Sequence, residues 1–264
     1  MRLTGGGWDS PEIRMLSGVS GRCHRATFSE GIRDARVFDE AYVPPTVIGR
    51  EDERRQLGLC LSPMKEGQAP LNAWLYGPAG SGKTVVARAV AREVCTAHSG
   101  RHASYVNCWE RHSLYQVVQA IADDLRVLGA EAQDTNVKLE RIRRALRDEP
   151  TVVILDDIDR LRPTHRERII YGLSAMPRTG LICISHGNET LLALEERTKS
   201  RLSPTVIPFA PYTAEDIKAI LADRAHLGLK SPAPSDALLT RLAHTAHGDA
   251  RVAVQGLRVQ AWSP

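Results

Sequence analysis

A glycine-rich segment that ends in a lysine and a hydroxyl residue is the stretch of this sequence that most clearly carries chemistry. It reads Gly77-Pro78-Ala79-Gly80-Ser81-Gly82-Lys83-Thr84 and follows a short apolar run at 71–76. Glycines let the backbone curl so that successive N–H groups face one anion, and a following helix turns its positive dipole end toward the same place. The pattern predicts a phosphate loop, in which Lys83 contacts the β- and γ-phosphates of a nucleotide and Thr84 binds magnesium. A glycine-rich turn before an ordinary helix is the disfavoured alternative.

Two carboxylates at the end of a second apolar run supply the other half of such a site. Residues 152–155 are apolar and are followed by Asp156 and Asp157. The carboxyl end of a parallel strand lies beside a phosphate loop on the same sheet. We therefore expect Asp156 to hold magnesium through its water shell and Asp157 to polarise an attacking water. A polar turn after a core strand is the alternative, and the upstream loop makes it less favoured.

Polar residues follow two later segments as well. His186-Gly187-Asn188 comes after the apolar run at 181–185, and a side chain there could reach the γ-phosphate or the water; an ordinary turn is the alternative. Residues 198–202 follow a predicted short helix and contain Arg201. Such an arginine could act on the nucleotide of a neighbouring subunit, although local sequence alone favours a plain surface arginine.

Composition excludes several classes of protein. The chain has 264 residues, of which 42% are hydrophobic, enough for one large domain or one domain with a small satellite. No apolar run approaches the roughly 20 residues of a membrane span, and the first residues hold no apolar signal segment, so we expect a cytoplasmic, nucleoid-associated protein. The net charge of +4 permits contact with nucleic acid without arguing strongly for it.

The spacing of the cysteines disfavours a metal site built from cysteines. The five cysteines show no C-x-x-C spacing, and they are Cys23, Cys60, Cys95, Cys108 and Cys183. Cys108 and Cys183 lie in apolar runs. We therefore expect both to be buried thiols in a reducing compartment.

Strand-like and helix-like segments alternate through most of the chain. Strands are predicted near 71–76, 103–108, 151–156, 180–185 and 204–208, and helices near 51–61, 83–97, 113–127, 135–148, 163–175 and 189–194. This alternation predicts an α/β fold in which helices cover both faces of a parallel five-stranded sheet.

Three regions are expected along the chain. Residues 1–34 contain Gly5-Gly6-Gly7 and little periodicity, which predicts a flexible extension. Residues 35–211 form the base domain. Residues 212–264 form a small all-helical lid, with helices near 213–224, 235–245 and 249–261, the first capped by Thr213 with Asp216 three residues on.

Together these motifs resemble those of the AAA+ ATPases, and in particular the archaeal and eukaryotic origin-recognition and replication-initiator family of the Orc/Cdc type. The resemblance covers roughly residues 35–261. It rests on the order of several stretches, because the phosphate loop alone is generic. The stretches are 35–44 with 49–51, 107–108, 155–161, 184–202, 209–213 and 248–251.

The resemblance implies roles for individual residues. Those near the adenine and ribose would be Tyr42, Val43, Pro44 and Arg50, with Tyr212 also at the nucleotide. Asp156 and Asp157 match the Walker B pair. Arg251 matches the second sensor, which the lid brings onto the γ-phosphate. Arg201 matches the arginine finger presented to a neighbouring subunit, with Arg197 as the second candidate.

Three departures from the family pattern modify these expectations. Asp157 stands where glutamate is usual and is one methylene shorter, so we expect slow hydrolysis. His186 stands where the first sensor is usually asparagine, and Asn188 is the candidate to replace it. The sequence stops at Pro264, before the winged-helix domain that family members carry. We therefore expect only weak binding of duplex DNA.

A cluster of arginines lies where initiators carry a DNA-touching insertion, namely Arg141, Arg143, Arg144 and Arg147. A solvated helix face is the favoured interpretation of this cluster, and contact with DNA phosphates is the alternative.

The resemblance implies a replication-initiator protein that uses ATP/ADP and Mg²⁺ as a switch in origin recognition or helicase loading. Its expected partners are duplex DNA, other initiator subunits or the replicative helicase, and further copies of itself through Arg201. Two alternatives stay open. One is a non-catalytic nucleotide-binding module or truncated regulatory paralogue, and the other is an AAA+ helper of a transposase.

Overall fold

The structure is a computed structural model that describes residues 31–96, 102–127, 134–230 and 233–262. The extension expected at 1–34 lies outside the described residues as far as residue 30, and so does Cys23. Among the helices of the described ranges, none is long and apolar enough to cross a membrane.

Five parallel strands form one sheet, as the alternating pattern predicted. They are β1 (Ala73–Tyr76), β2 (His102–Asn107), β3 (Thr151–Asp156), β4 (Thr179–Ser185) and β5 (Thr205–Pro208). Their order in the sheet is β2-β3-β4-β1-β5, with every pairing parallel. Because β4 lies between β1 and β3, the carboxyl ends of these three strands meet at one edge. The segments that follow them are thereby brought to one site.

Helices cover both faces of the sheet. In chain order they are α1 (Glu51–Leu61), α2 (Lys83–Thr96), α3 (Leu114–Asp124), α4 (Thr135–Ala145), α5 (Pro163–Ser174), α6 (Glu189–Leu192) and α7 (Glu196–Leu202). Alternate residues of β1 point to opposite faces. Leu75 packs in the core beneath α1 and α2, and Trp74 packs in the core beneath α3 and α5. Cys108 and Cys183 are buried in the second core, as the sequence predicted.

The lid is a separate helical layer of α8 (Ala214–Gly228), α9 (Asp236–Thr245) and α10 (Ala250–Trp262). The predicted cap of α8 is present as a capping box, because the Thr213 hydroxyl accepts from the Asp216 N–H at 3.1 Å and the Asp216 carboxylate accepts from the Thr213 N–H at 3.2 Å.

Residues 31–39, called here the strap, pack on the lid and not on the sheet. Val37 and Phe38 lie in the lid core, and the Arg33 and Asp34 N–H groups donate to the Gly228 carbonyl at 2.8 and 3.2 Å. Residues 31–34 were predicted to end the flexible extension, and residues 35–39 were predicted to begin the base domain. The packing groups both segments with the lid. It also fits the length of α8, which continues past the predicted end at 224, because Gly228 in its last turn packs against Phe38 of the strap.

Two local differences from the predicted elements have plain causes. Strand β1 begins two residues later than predicted, because Asn72 uses its side chain to bond Leu202 O at 2.6 Å and Leu181 N at 2.8 Å. Residues 198–202 follow the predicted short helix, which is α6, but they also form the body of a second helix, α7, that was not predicted. Thr198 and Leu202 are buried there and hold this helix on α5.

Candidate functional site

The glycine-rich segment forms a tight loop between β1 and α2, and the lid leaves no room for a side chain at two of its glycines. Gly80 has φ +66°, and a Cβ there would lie 1.8 Å from Asp249 Oδ1. Gly82 has φ +91°, and a Cβ there would lie 2.3 Å from the Tyr212 hydroxyl oxygen. Both positions need glycine for conformation and for space. The glycine spacing of the motif thus reflects contact with the lid as well as curling of the loop.

Lys83 opens α2 and folds back over the loop. Its Nζ donates to the carbonyls of Gly77 and Pro78, both at 2.7 Å. Burial lowers the pKa of this ammonium, and the carboxylate of Asp156 acts in the opposite direction. The ammonium lies within the loop's own curl, the position from which a lysine acts as a point charge on phosphates.

Asp156 ends β3 beside the loop and is surrounded by hydrogen-bond donors. Its Oδ2 accepts from the Thr84 hydroxyl at 2.7 Å and from the Tyr105 hydroxyl at 2.8 Å, and its Oδ1 accepts from the Asp157 N–H at 3.0 Å. The structure thus joins Thr84 and Asp156, the two residues predicted for a metal. Hydroxyl and carboxylate oxygens are the donors that Mg²⁺ prefers, so the residues present fit this ion.

Asp157 occupies an unusual conformation directly after β3. Its φ is +51°, in the left-handed region that few non-glycine residues adopt. Burial, with Asp156 adding a like charge, raises the pKa of the Asp157 carboxyl. Such strain occurs at functional sites, where the surrounding structure holds a residue in place.

His186 follows β4 and faces these acidic residues. Its Nδ1 lies 3.1 Å from Asp159 Oδ2 and 3.9 Å from Asp157 Oδ1. Two consecutive hydrogen bonds support the turn. Trp74 Nε1 donates to Ser185 Oγ at 2.9 Å, and Ser185 Oγ donates to Gly187 O at 2.8 Å. The structure thus places His186 beside Asp157, and its predicted reach to the γ-phosphate or the attacking water stays a prediction.

Asn188 comes two residues after His186, directly before α6, and its predicted sensor role stays a prediction. It precedes α6 without capping it by its side chain, and its Oδ1 is buried with no hydrogen-bond partner among the described residues. It is not among the residues that line the cavity between loop and lid, whereas His186 is.

The first turn of α10 docks on the phosphate loop. The Ala250 N–H donates to Gly80 O at 3.2 Å, and Asp249 caps the helix by accepting from the Arg251 N–H at 2.8 Å. The Arg251 side chain lines the cavity and its Nε lies 4.0 Å from Asp249 Oδ1. The lid therefore presents a half-exposed guanidinium to the same space that Lys83 faces from the base.

Arg50 lies beneath the loop. Its Nε donates to Ser81 O at 2.9 Å, another guanidinium N–H donates to Ala210 O at 2.5 Å, and its guanidinium carbon lies 4.0 Å from the centre of the Tyr212 ring. The side chain is buried and lies outside the cavity lining, so the structure shows it bracing the phosphate loop against residues 210–212. Its predicted position near adenine and ribose stays a prediction.

Of the other residues predicted near adenine and ribose, some line the cavity and one does not. Tyr42 and Pro44 line the cavity, and Tyr212 lines it from the lid side, whereas Val43 does not. The Arg224 guanidinium lies 4.4 Å from the centre of the Tyr42 ring and ties it to the lid. The cavity measures about 550 Å³, within the usual range of roughly 300–1,000 Å³ for ligand pockets.

Arg201 lies on α7, outside this cavity. Its guanidinium lies 4.3 Å from the centre of the Tyr171 ring, and that of Arg197 lies 5.3 Å from the same ring. All three side chains are exposed to some degree, so the arginines are presented outward from a shared aromatic support. This geometry accommodates the predicted role on a neighbouring subunit.

Three functional candidates were missed from the sequence. Tyr105 contacts Asp156, Arg88 covers the Tyr105 ring, and Asp159 contacts His186. Only Asp159 has a weak signal in the sequence, because it is a further aspartate two residues after Asp157. In the sequence, Tyr105 looks like an ordinary aromatic residue of a strand, and Arg88 looks like an ordinary charged residue of a helix.

Three of the four arginines in the predicted cluster form a basic face on and after α4, and Arg141 is not among the residues that line it. Arg143 donates to Ala175 O at 3.2 Å, and Arg144 pairs with Glu140 one turn earlier at 3.3 Å. Arg143, Arg144 and Arg147 line a shallow groove with Glu140 and the end of α5. The structure brings the three together, and contact with DNA stays a prediction.

Comparison with known proteins places the chain in a family. Residues 46–184 match the family described as AAA ATPase domain. The chain is 36% identical over 232 residues to ORC1-type DNA replication protein 1 of Halobacterium salinarum, covering 86% of this chain and 74% of that protein. It is 34% identical over 244 residues to ORC1-type DNA replication protein 1 of Archaeoglobus fulgidus, covering 85% of this chain and 59% of that protein.

Solved structures show the same relationship. The Aeropyrum pernix ORC1 protein in complex with DNA superposes with a TM-score of 0.80 at 31% identity, over 88% of this chain and 64% of that chain. Cdc6p from Pyrobaculum aerophilum gives 0.77 at 28% identity, over 88% and 66%. The chain thus spans less than two thirds of several of its relatives. With its phosphate loop, carboxylate pair and helical lid in the expected order, the chain belongs to the AAA ATPase family and, within it, to the ORC1-type DNA replication proteins.

Proposed function

We propose that this protein binds ATP with Mg²⁺ and uses the difference between ATP and ADP as a switch in origin recognition or helicase loading. The observation that supports this most is the docking of α10 on the phosphate loop. Through it, Lys83 of the base and Arg251 of the lid line one cavity. A bound triphosphate would lie between two cations that belong to different parts of the molecule.

The switch follows from the charge of the nucleotide. Arg251 is half-exposed, and its nearest acidic group is Asp249 at 4.0 Å, a weak pairing. A γ-phosphate supplies a stronger partner, and ADP does not. Because a ligand shifts a conformational equilibrium only by its differential affinity for the two states, contact with Arg251 is what lets ATP and ADP favour different lid positions.

The partners of the proposed switch follow from the relatives and from the surface. The Aeropyrum pernix ORC1 protein was solved with DNA, which supports duplex DNA as a partner of this chain. Other initiator subunits, the replicative helicase or further copies of this chain are the proposed protein partners. Self-association would use Arg201, which lies outside the chain's own cavity.

The test is nucleotide binding by the Lys83→Ala variant, measured by equilibrium dialysis with ATP and Mg²⁺. We expect binding to be lost while the unfolding temperature changes little, because the hydrogen bonds of the Lys83 ammonium lie within the loop. Lys65→Ala removes an exposed lysine outside the cavity and is the matched control. ATP affinity that is equal in both variants and the parent would refute the proposal.

A nucleotide-binding module without turnover is the second candidate function. Asp157 favours it, since this short carboxylate is held in the left-handed conformation and cannot extend as glutamate does. Asp157→Asn should remove any remaining hydrolysis and spare ATP binding, and Asp157→Glu should accelerate hydrolysis if reach is the limit. Phosphate release measured in a single turnover distinguishes the two candidates. No release from the parent protein supports the module, and measurable release that Asp157→Asn abolishes supports a slow ATPase.

A further inference from the structure

We propose that Tyr105 is a positioning residue for the metal ligand Asp156, an inference that rests on the proposed binding of Mg²⁺ and ATP. The Tyr105 hydroxyl donates to Asp156 Oδ2 at 2.8 Å. The same oxygen accepts from the Thr84 hydroxyl at 2.7 Å, and the other oxygen accepts from the Asp157 N–H at 3.0 Å. Of these three donors, only Tyr105 belongs to neither of the two predicted motifs.

The strand register explains why a side chain of β2 reaches this carboxylate. Tyr105 pairs with Ile154, and Asn107 pairs with Asp156 on the neighbouring strand. Tyr105 and Asp156 therefore lie diagonally across β2 and β3, on the same face of the sheet. Only a long side chain spans that diagonal, and its hydroxyl ends at the carboxylate.

Tyr105 is held from three directions. Its backbone N–H donates to Asp124 Oδ2 at 3.1 Å, so the exposed edge of β2 is anchored to the end of α3. The Arg88 guanidinium lies 4.9 Å from the centre of its ring. The ring itself packs against the core beneath α1 and α2. A side chain restrained in this way offers its hydroxyl at a fixed position.

The consequence concerns how Asp156 is oriented before the metal binds. Thr84 is itself a predicted metal ligand, so its hydroxyl group would contact the metal in addition to Asp156. Tyr105 is not a predicted metal ligand, so its hydroxyl would remain free to donate to the carboxylate when a metal is bound. Partners of this kind fix the orientation of metal ligands, and their removal typically costs about 10- to 100-fold in metal affinity.

The experiment compares Tyr105→Phe with Tyr115→Phe, the same loss of one oxygen at an exposed position of α3. Affinity for a fluorescent ATP analogue is measured in EDTA and across a Mg²⁺ titration. We expect Tyr105→Phe to need about tenfold more Mg²⁺ for half of the metal-dependent gain in affinity. Its affinity in EDTA should equal that of the parent, and Tyr115→Phe should match the parent in both conditions.

Direct titration with Mn²⁺ followed by electron paramagnetic resonance checks the same quantity without the fluorescent group. A Mg²⁺ requirement within twofold of the parent would overturn the inference and leave the proposed function intact. An equal loss of affinity in EDTA and in Mg²⁺ would also overturn it, because it would mean that Tyr105 supports the loop in general. A parent protein that shows no metal-dependent binding would refute the inference together with the proposed function.

Discussion

At Asp157, the charged carboxylate that the proposed chemistry uses lowers the stability of the fold. Its backbone is left-handed, and its carboxylate lies beside that of Asp156. Asparagine tolerates this backbone conformation well and carries no charge. We therefore predict that Asp157→Asn raises the unfolding temperature by about 2 °C in metal-free buffer at neutral pH, as measured by calorimetry.

The pH dependence of that gain provides the check. The raised pKa means that the charged carboxylate costs stability in the folded state above its pKa, and costs nothing once both states are protonated. The gain from Asp157→Asn should therefore shrink as the pH falls through the raised pKa of Asp157, and it should vanish once the pH lies below the ordinary pKa of aspartate. A gain that stays constant down to strongly acidic pH would show that the backbone, and not the charge, is responsible.

Arg251 is predicted to distinguish ATP from ADP. Its guanidinium lines the cavity from the lid and is half-exposed. Arg251→Ala should lower the affinity for ATP about tenfold, the loss of a charged hydrogen bond of about 1.4 kcal/mol, and leave the affinity for ADP nearly unchanged. Equilibrium titrations with both nucleotides measure this ratio.

Arg241→Ala, on α9 and outside the cavity lining, is the control for lost charge on the lid. If the ratio of ATP to ADP affinity is the same for Arg251→Ala and the parent, Arg251 does not contact the γ-phosphate.

At the scale of elements, the strap joins the lid to the nucleotide cavity. Phe38 is 1% exposed within the lid core, and residues 39–42 continue directly into the cavity lining. Phe38→Ala should destabilise the lid by about 3 kcal/mol, since it empties a buried aromatic site. Because the strap then holds the cavity wall less firmly, affinity for ATP should fall as well.

Chemical denaturation and nucleotide titration measure the two effects of Phe38→Ala. Leu59→Ala on α1 is the control, because that side chain is 65% exposed and should change neither quantity. A destabilised Phe38→Ala variant with unchanged ATP affinity would show that the strap supports the lid without shaping the cavity.

At the scale of the whole molecule, the predicted contact with DNA depends on surface charge. The net charge is only +4, and the clearest basic face described is that of Arg143, Arg144 and Arg147. Reading bases needs an element seated in a groove, whereas phosphate contact needs only cations. We predict weak binding of this chain to duplex DNA, with little sequence preference and a shallow dependence on salt.

Replacing Arg143, Arg144 and Arg147 together with alanine should lower the affinity for DNA. It should also make that affinity less dependent on salt, to the same extent for every DNA sequence. Alanine at Arg54, Arg55 and Arg92, exposed on α1 and α2, removes the same charge elsewhere and should have a smaller effect. Salt titrations on an origin fragment and on a scrambled duplex of equal length measure both. Tight, salt-tolerant preference for the origin fragment would mean that this part of the protein reads sequence or DNA shape itself.

The sequence by itself determined the sheet and the phosphate end of the site. Glycine spacing, the lysine and the carboxylate pair are local signals, because loop curvature, helix dipole and strand burial each depend on neighbours in the chain. Parallel strands then place Thr84 and Asp156 together without further information. The capping box of α8 was equally local, since Thr213 and Asp216 are three residues apart.

The tertiary structure alone decided what lies around that core. The strap packs on the lid because Phe38 fits over Gly228, a contact between residues 190 positions apart that no local pattern encodes. Tyr105 meets Asp156 because of the register between β2 and β3. Arg50 braces the loop through carbonyls at 81 and 210. Each of these contacts depends on packing between distant segments, and packing is a property of the folded chain as a whole.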